Sequence, residues 1–492
     1  MRTSFFWRGL KSLVIAGLLG SSGALAQAVD ALEPLDSQDQ QTQQASELRT
    51  MEKAARAPQL QMTLPGGRAS TSLMTMYSAQ QGSWPFEPFV HNGLFRTIAG
   101  YQSQHPQAVV LRGGSITLQQ LHAQLRNARI LSLHKEGYLL RYPLMIEPGA
   151  ALLVQNTTLY LYGSSGAAII NRGLFSLHEA GLESYRGEGA QTTDRPYRPF
   201  LINWAGSKLR IESSRLADLG YNENLSRGVT AARSVHQSGG VAPAQIVISN
   251  SEFADMSVGL ELDHAQAQIS DSRFIGLQQY ALDVSNSRVL IERNRVDGVR
   301  NLSGVRLTGN VNGRVEGNKI LHAGKSAVEI NNLNGSVIVR DNQLGASAGY
   351  GIVLREQGAQ GQLLVANNLI GNTDLSAIDG ANLHRVSIVG NRITGTPEYA
   401  ISVRNSVAAQ GPVRVTGNHI WGVGKAMLRV QGVHYVVLGN NRFQGNPPLQ
   451  NLLIGDLLRY QTPVLQATLE GGRTVGVRIP KVTLMPVPVE GG

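Results

Sequence analysis

The chain has 492 residues, of which 42% are hydrophobic but only 6% are aromatic, and it contains no cysteine. This composition excludes a disordered chain and a disulfide scaffold, and it requires a large core built from aliphatic side chains. The formal net charge is +10, yet there is no basic run and there are few aromatic rings on which bases could stack, so we expect no nucleic-acid partner.

The first 26 residues have the pattern of a secretory signal peptide. Arg2, Arg8 and Lys11 precede an apolar run, and the segment ends in Ala-Leu-Ala, which predicts cleavage after Ala26. A membrane anchor is the alternative, but the run 13–19 is well short of the roughly 20 residues that a spanning helix needs. We therefore expect a periplasmic protein without a membrane span, whose mature charge of +10 − 3 = +7 favours an acidic polysaccharide as partner.

Three segments flank the central part of the chain. Residues 27–65 are rich in glutamine and predict a linker with one short helix near 44–57. Residues 66–150 predict an N-terminal capping region, in which QAVVLRGGSITLQQLHAQL (107–125) indicates a strand, a glycine turn and the start of a helix. Residues 446–492 predict a C-terminal cap or tail with two strands, since an open solenoid end would expose unpaired strands.

Residues 151–445 contain a repeat. Segments such as IERNRVDG, VEGNKILHAG and IVGNRITGT align in one column at spacings of 22, 24, 24, 26, 23, 27 and 23 residues. The members of this column are Ser272, Asn294, Asn318, Asn342, Asn368, Asn391, Asn418 and Asn441, and Ser214 and Ser251 extend it upstream. Stacked amides at an inward turn can bond to one another and to the turn backbone, so we interpret the column as structural.

A leucine-rich repeat has a similar period, but the units here lack room for a helix. Each has a second strand-like piece about ten residues before the asparagine, and its apolar residues are largely Val and Ile, which suit strands. The repeat therefore predicts an all-β parallel β-helix of about ten or more coils.

Outward positions on the first strand of successive coils are polar. Because neighbouring coils stack about 4.8 Å apart, we expect these side chains to form a continuous strip. Arginine can engage a carboxylate with two parallel hydrogen bonds, so the strip suits a carboxylated sugar chain, although a solvated sheet face is the plain alternative. The strip comprises Glu261, Asp263, Asp283, Arg306, Thr308, Glu329, Asn331, Arg355, Asp379, Arg404 and Arg429.

Two segments, RPFLINWAG (198–206) and LGYNENLSRGV (219–229), carry motifs of a known family. They resemble the Arg-Pro-Phe-Leu-Ile-Ser-Trp-Gly-Gly run, the Leu-Gly-Tyr and the Ser-Tyr-Gly-Val of the mannuronan C5-epimerases of alginate biosynthesis. QAVVLRGGSITLQQL and YPLMIEPGAALLV (142–154) look like the family's preceding segment. The resemblance implies a periplasmic right-handed parallel β-helix that inverts C5 of mannuronate within the polymer, alongside an exopolysaccharide export complex.

The chain departs from this family at the catalytic motif. The family carries Tyr-Gly-Ile-Asp-Pro-His-Asp, whereas residues 280–286 read Tyr-Ala-Leu-Asp-Val-Ser-Asn, so only Asp283 of its Asp-Pro-His-Asp remains. Inversion at C5 needs a neutralised carboxylate, a base and an acid. Asp283 or His264 could move a proton, and Arg300 and Arg306 could neutralise a carboxylate. The further candidate substrate-binding residues are Asp263, Glu329, Arg355 and Arg404.

Three functions remain open. The favoured one is a protein with a degenerate catalytic site that binds and guides an acidic, polymannuronate-like polysaccharide during its synthesis or export. The second is an active C5-epimerase or lyase with rearranged catalytic groups. The third is a hydrolase that uses Asp263 and Asp283 on adjacent coils as paired carboxylates. Scattered histidines and the absence of an acidic cluster predict neither a metal nor another cofactor.

Overall fold

The computed structural model describes residues 32–35, 38–77, 84–86, 94–102, 105–187, 197–221, 224–406, 411–444, 452–482 and 484. The predicted signal peptide with its cleavage site and the last residues of the tail lie outside these ranges. Within them, none of the helices is both long enough and apolar enough to cross a membrane.

The chain winds into a parallel β-helix, as predicted. Each full coil contributes one short strand to each of three long sheets, and each strand pairs in parallel with the strands of the coils above and below. Alternating burial along the strands, as in the BiBiBi pattern of Ala265–Ser270, sends the aliphatic side chains of every coil into one continuous core.

The strands of the three sheets follow in spatial order. Sheet 1 contains Ser70–Thr75, Gln107–Arg112, Leu144–Ile146, Ile169–Asn171, Leu201–Trp204, Gly228–Ala232, Val258–Asp263, Tyr280–Ser285, Val305–Thr308, Ser326–Leu333, Tyr350–Gln357, Ile378–Ala381, Tyr399–Ser406, Ala426–Val433 and Leu453–Gly455. Sheet 2 contains Gly114–Thr117, Ala150–Gln155, Leu174–His178, Lys208–Glu212, Ala244–Ser249, Ala265–Ser270, Arg288–Glu292, Asn312–Glu316, Ser336–Arg340, Gln362–Ala366, Val386–Val389, Val413–Thr416, Tyr435–Gly439, Val475–Arg478 and Leu32–Pro34. Sheet 3 contains Leu131–His134, Gly137–Leu140, Thr158–Tyr162, Gly181–Tyr185, Arg215–Ala217, Glu252–Ala254, Arg273–Ile275, Arg295–Val299, Lys319–Ala323, Gln343–Gly345, Leu369–Gly371, Arg392–Thr394, His419–Trp421 and Arg442–Gln444.

The helical segments of the described chain lie near its two ends and in connections between strands of the first coils. The strand, glycine turn and helix predicted at 107–125 are present, and Thr117 and Gln120 form a capping box at the start of the helix Leu118–Leu125. Parallel pairing already includes the strand Gln107–Arg112, so the region predicted as an N-terminal cap itself contributes coils. The helical segments are Gln38–Ala54, Leu94–Gln102, Leu118–Leu125, Gly163–Ser165, Leu458–Tyr460, Gln461–Leu465 and Gln466–Glu470.

The predicted asparagine column forms a buried ladder. Each amide from Asn294 to Asn418 donates through Nδ2 to Oδ1 of the next asparagine at 2.9–3.1 Å. The same Oδ1 also accepts the backbone N–H of the preceding asparagine, as between Asn318 and Asn342 at 2.8 Å. Ser214, Ser251 and Ser272 continue the ladder with their hydroxyl oxygens. The structural interpretation of this column is confirmed.

The glutamine-rich segment is a strap along the outer face of sheet 2 and not a free linker. Its strand Leu32–Pro34 pairs antiparallel with Val475–Arg478 at the C-terminal end of that sheet. Met51 and Ala55 are buried against Ile338, and Pro58 accepts a hydrogen bond from Gln268 at 2.7 Å. The predicted short helix spans Gln38–Ala54.

Candidate functional site

Two columns of side chains run along the outer face of sheet 1, because residues two apart on a strand point to the same side. The first column follows the register Glu261, Asp283, Arg306, Glu329, Val353, Asp379, Ser402 and Arg429. The second follows Asp263, Ser285, Thr308, Asn331, Arg355, Ala381, Arg404 and Gln431. Val353 in the first column and Ala381 in the second are apolar. The polar strip predicted from the sequence is therefore two parallel columns, each interrupted once by an apolar residue.

A cleft of about 310 Å³ opens over the N-terminal part of these columns. It lies where the family's catalytic motif would be, since Asp283 and Ser285 are on its floor. Its lining consists of Arg227, Glu261, Asp263, Asp283, Ser285, Arg306, Thr308, Asn331 and Asn332.

Asp283 is the most buried charged group in the cleft, with 6% of its side chain exposed. Its oxygens accept hydrogen bonds from Arg306 Nε (2.8 Å) and Arg306 Nη2 (2.6 Å), a two-bond pairing. Arg227 Nη2 lies 3.5 Å from Asp283 Oδ2 and also pairs with Glu261. Both carboxylate oxygens of Asp283 therefore already accept hydrogen bonds from a guanidinium group.

Tyr280 supports the Arg306 side chain from the coil below. The guanidinium carbon of Arg306 lies 4.4 Å from the centre of the Tyr280 ring, which is a cation–π contact. Burial raises the pKa of Tyr280 to about 12, although the positive charge of Arg306 opposes part of this rise. Burial alone would lower the pKa of Arg306, but the hydrogen bonds and charge of Asp283 outweigh it and raise that pKa above its ordinary value. Tyr280 is neutral and Arg306 is charged at pH 7.

Asp263 does not face Asp283. In the strand register Asp263 pairs with Ser285, and Glu261 is the neighbour of Asp283. The predicted stacked pair Asp263–Asp283 is therefore wrong, because the two aspartates occupy different columns. Asp263 instead accepts hydrogen bonds from the Ser285 hydroxyl (2.8 Å) and from Asn286 Nδ2 (3.1 Å).

His264 lies at the rim of the cleft. Its Nδ1 is 2.8 Å from Asp263 Oδ2, and 47% of its side chain is exposed. The residue sits in a turn with φ of 51° directly after the strand. It is not part of the cleft lining.

A second group of charges lies four coils further along. Asp379, with 6% of its side chain exposed, accepts hydrogen bonds from Arg355 Nη2 (2.7 Å) and Arg404 Nη2 (2.6 Å). These three predicted residues are brought together, but not with Asp283.

Two other predicted binding residues do not line the cleft. Glu329 follows Arg306 in the first column but is buried, and its carboxylate accepts hydrogen bonds from Ser303 (2.5 Å) and Asn331 (2.7 Å). Arg300 is exposed in the turn before Val305–Thr308 and does not line the cleft.

Arg227 and Tyr280 belong to the site but were not predicted from the sequence. A signal for Arg227 was available, since it stands in Ser226-Arg227-Gly228-Val229, where the family pattern quoted above has tyrosine. Among the described residues no group of three or more His, Asp or Glu side chains is placed to hold a metal ion.

Comparison with known proteins agrees with this architecture. A family model described as "Right handed beta helix region" matches residues 234–393. Curated proteins named mannuronan C5-epimerase, from Pseudomonas putida and Pseudomonas aeruginosa, are 26% identical over 322 residues and 29% identical over 177 residues. The alignments cover 62% and 34% of this chain, and 57% and 31% of those relatives, so the chain matches only part of their length.

The crystal structure of the periplasmic alginate epimerase AlgG has the same fold. It superposes with a TM-score of 0.68 at 20% identity, over 78% of this chain and 95% of that chain. The right-handed parallel β-helix and the resemblance to the mannuronan C5-epimerases are both confirmed.

Proposed function

From its similarity to the mannuronan C5-epimerases, we propose that this chain is a periplasmic protein that binds a polyuronate along sheet 1. It holds the polymer during synthesis or export, together with export-complex proteins, and does not invert C5. The carrying observation is that five guanidiniums line one face of one sheet. They belong to Arg227, Arg306, Arg355, Arg404 and Arg429.

The geometry of the face supports a chain-like ligand. The columns continue from Glu261 to Arg429 over seven coil steps, which at about 4.8 Å each is about 34 Å. The face is long, shallow and polar, whereas a small-molecule site is a closed, mostly apolar pocket. Guanidiniums match the carboxylates that a polyuronate presents along its length.

The lack of a free base supports binding without chemistry. Removal of the C5 proton requires a basic atom at the substrate. Ser285 stands where the family motif has histidine, and each oxygen of Asp283 already accepts a hydrogen bond from Arg306. No histidine is present among the residues that line the cleft.

One observation favours a second candidate, an active epimerase or lyase. Asp263 holds His264 through Nδ1, which leaves Nε2 of a neutral imidazole as an acceptor beside the cleft. In that case His264 would be the base, with Arg306 neutralising the carboxylate.

The two candidates are separated by one experiment on the mature protein. Polymannuronate is incubated with it in deuterated water, deuterium at C5 and newly formed guluronate are followed by NMR, and affinity is titrated on the same sample. We expect binding without deuterium incorporation. Incorporation that is lost in His264→Gln would establish the second candidate, and absence of binding would refute the first.

Arg392→Ala is the matched control for loss of one positive charge. Arg392 is exposed on sheet 3, away from the proposed binding face. The Arg392→Ala variant should therefore bind polymannuronate with the affinity of the unmodified protein.

A further inference from the structure

A row of cations runs along the outer face of sheet 3. One outward position follows the strand register from coil to coil over seven steps, which at about 4.8 Å each is about 34 Å. We call this position the sheet 3 row. Its members are Arg273, Arg295, Lys319, Gln343, Leu369, Arg392, His419 and Arg442. The row therefore contains five arginine and lysine side chains and no acidic one.

The cations at the two ends of the row differ in their partners. Arg273 and Arg295 form ion pairs with neighbouring carboxylates, at N–O distances of 3.8 and 2.8 Å. The side chains of Lys319, Arg392 and Arg442 form no ion pair or hydrogen bond in the part of the chain that the structure describes. Three positive charges of the row therefore have no counter-ion there.

Like charges also face one another in the row. Arg295 is the direct neighbour of both Arg273 and Lys319 on the adjacent coils. Like charges directly opposite one another destabilise a sheet. An anionic partner would reduce this repulsion, so the row is suited to a surface that carries many negative charges.

Apolar side chains are exposed among the unpaired cations. Leu369 is the direct neighbour of Arg392 and is 43% exposed. Leu321 and Trp421 occupy the next outward position of their strands and are partly exposed on the same face. Basic residues mixed with leucine and tryptophan are typical of surfaces that bind an anionic membrane, where lipid phosphates attract the cations and the apolar side chains enter the headgroup region. A hydrated polyanion would account for the cations but not for the exposed leucine.

The position of sheet 3 in the coil leaves this face open. The outer face of sheet 2 is covered by the strap, where Met51 and Ala55 are buried against Ile338. Sheet 1 carries the cleft and the two polar columns. Within the described chain, Arg392 and Arg442 on sheet 3 are exposed to solvent. A long, open face with unpaired cations is complementary in charge to a bilayer that contains anionic lipids.

We propose that sheet 3 docks this protein on the surface of an anionic phospholipid bilayer. Lys319, Arg392 and Arg442 lie at the lipid phosphates, and Leu369 and Trp421 enter the headgroup region. Docking through sheet 3 leaves the outer face of sheet 1 free for a polymer. This inference goes beyond the proposed function and does not depend on it.

Co-sedimentation of the mature protein with lipid vesicles tests the inference. We expect binding to vesicles of phosphatidylcholine mixed with phosphatidylglycerol, and none to vesicles of phosphatidylcholine alone. Each basic residue near an anionic membrane strengthens binding about fivefold, so the triple variant Lys319→Gln, Arg392→Gln, Arg442→Gln should bind the mixed vesicles about 100-fold more weakly. These side chains lie on the surface, and the thermal midpoint of the variant should match that of the unmodified protein.

The matched control removes two arginines and one lysine from the strap. Arg49→Gln, Lys53→Gln, Arg56→Gln changes the net charge by the same amount at exposed positions over sheet 2, so vesicle binding should fall less than about fivefold. Leu369→Gln keeps every charge and should weaken vesicle binding about fivefold, because less apolar surface enters the headgroup region.

Three outcomes would overturn the inference. They are absence of binding to the mixed vesicles by the unmodified protein, equal vesicle binding by the two triple variants, and unchanged vesicle binding by Leu369→Gln. A triple variant of sheet 3 that keeps vesicle binding but loses affinity for polymannuronate would also overturn it, because the row would then be a polymer site. Absence of polymannuronate binding by the unmodified protein would overturn the proposed function alone.

Discussion

Replacing Asp283 by Asn tests the charge pairing in the cleft. The substitution keeps the shape of the side chain but removes the negative charge that Arg306 grips with two hydrogen bonds at 2.8 and 2.6 Å. The Asn amide group can offer only one acceptor oxygen, and its NH₂ faces guanidinium donors. We expect a folded but less stable protein.

The size of the loss follows from the burial of the two partners. Breaking a fully buried ion pair costs about 3–5 kcal/mol, because the remaining charge is left uncompensated. Here Asp283 is 6% exposed but Arg306 is 31% exposed, so water can hydrate the released guanidinium. Glu261 also remains beside Arg227. The expected loss of unfolding free energy is therefore about 2 kcal/mol.

Urea unfolding followed by circular dichroism measures this loss. Asp341→Asn is the control, because Asp341 is 57% exposed and lies 3.8 Å from Arg340, a surface pair worth about 0–1 kcal/mol. If Asp283→Asn costs no more than the control, the buried pairing with Arg306 does not exist as described.

Three more predictions follow from the ladder, the cleft and the strap. Asn342→Ala removes four buried hydrogen bonds, each of which contributes about 1 kcal/mol, so the free energy of unfolding in urea should fall by about 4 kcal/mol. The control Asn224→Ala, at an exposed loop position, should leave the free energy of unfolding almost unchanged. Burial raises the pKa of Tyr280 to about 12 from an ordinary 10.0, so its contribution to stability should be present below pH 10 and be lost as pH rises to about 12. Burial also raises the pKa of Tyr197, so the measurement is the difference in alkaline absorbance between the unmodified protein and Tyr280→Phe, which should correspond to one phenolate that forms near pH 12. Met51→Asp should release the strap from sheet 2 and expose residues 32–65 to a protease, whereas Glu47→Gln, at an exposed ion pair 3.5 Å from Arg414, should leave cleavage unchanged.

The fold was predictable because it depends on a local pattern repeated many times. Every coil repeats the same alternation of aliphatic and polar residues and the same inward Ser or Asn, so one error of interpretation would have been corrected by the other coils. The ladder at Asn294 and Asn318 follows directly from that repetition, since equal spacing places the amides one above the other.

The site was less predictable because it depends on register between coils. Counting along the strands places Asp263 and Asp283 on one face but does not say which residue of the next coil each one meets, and a shift of two residues changes the neighbour from Asp263 to Glu261. Arg227 comes from the end of a loop before its strand, so no strand pattern places its guanidinium in the cleft.

The parallel β-helix, the inward column and the departure from the family motif at residues 284–286 could all be read from the chain, because each depends on the order and spacing of side chains. The tertiary structure was needed to show which charged side chains meet. Asp283 pairs with Arg306, and Asp379 pairs with Arg355 and Arg404, and these partners lie on different coils, 23 to 25 residues apart in sequence. Electrostatic interaction depends on distance and burial in space, which only the stacked coils define.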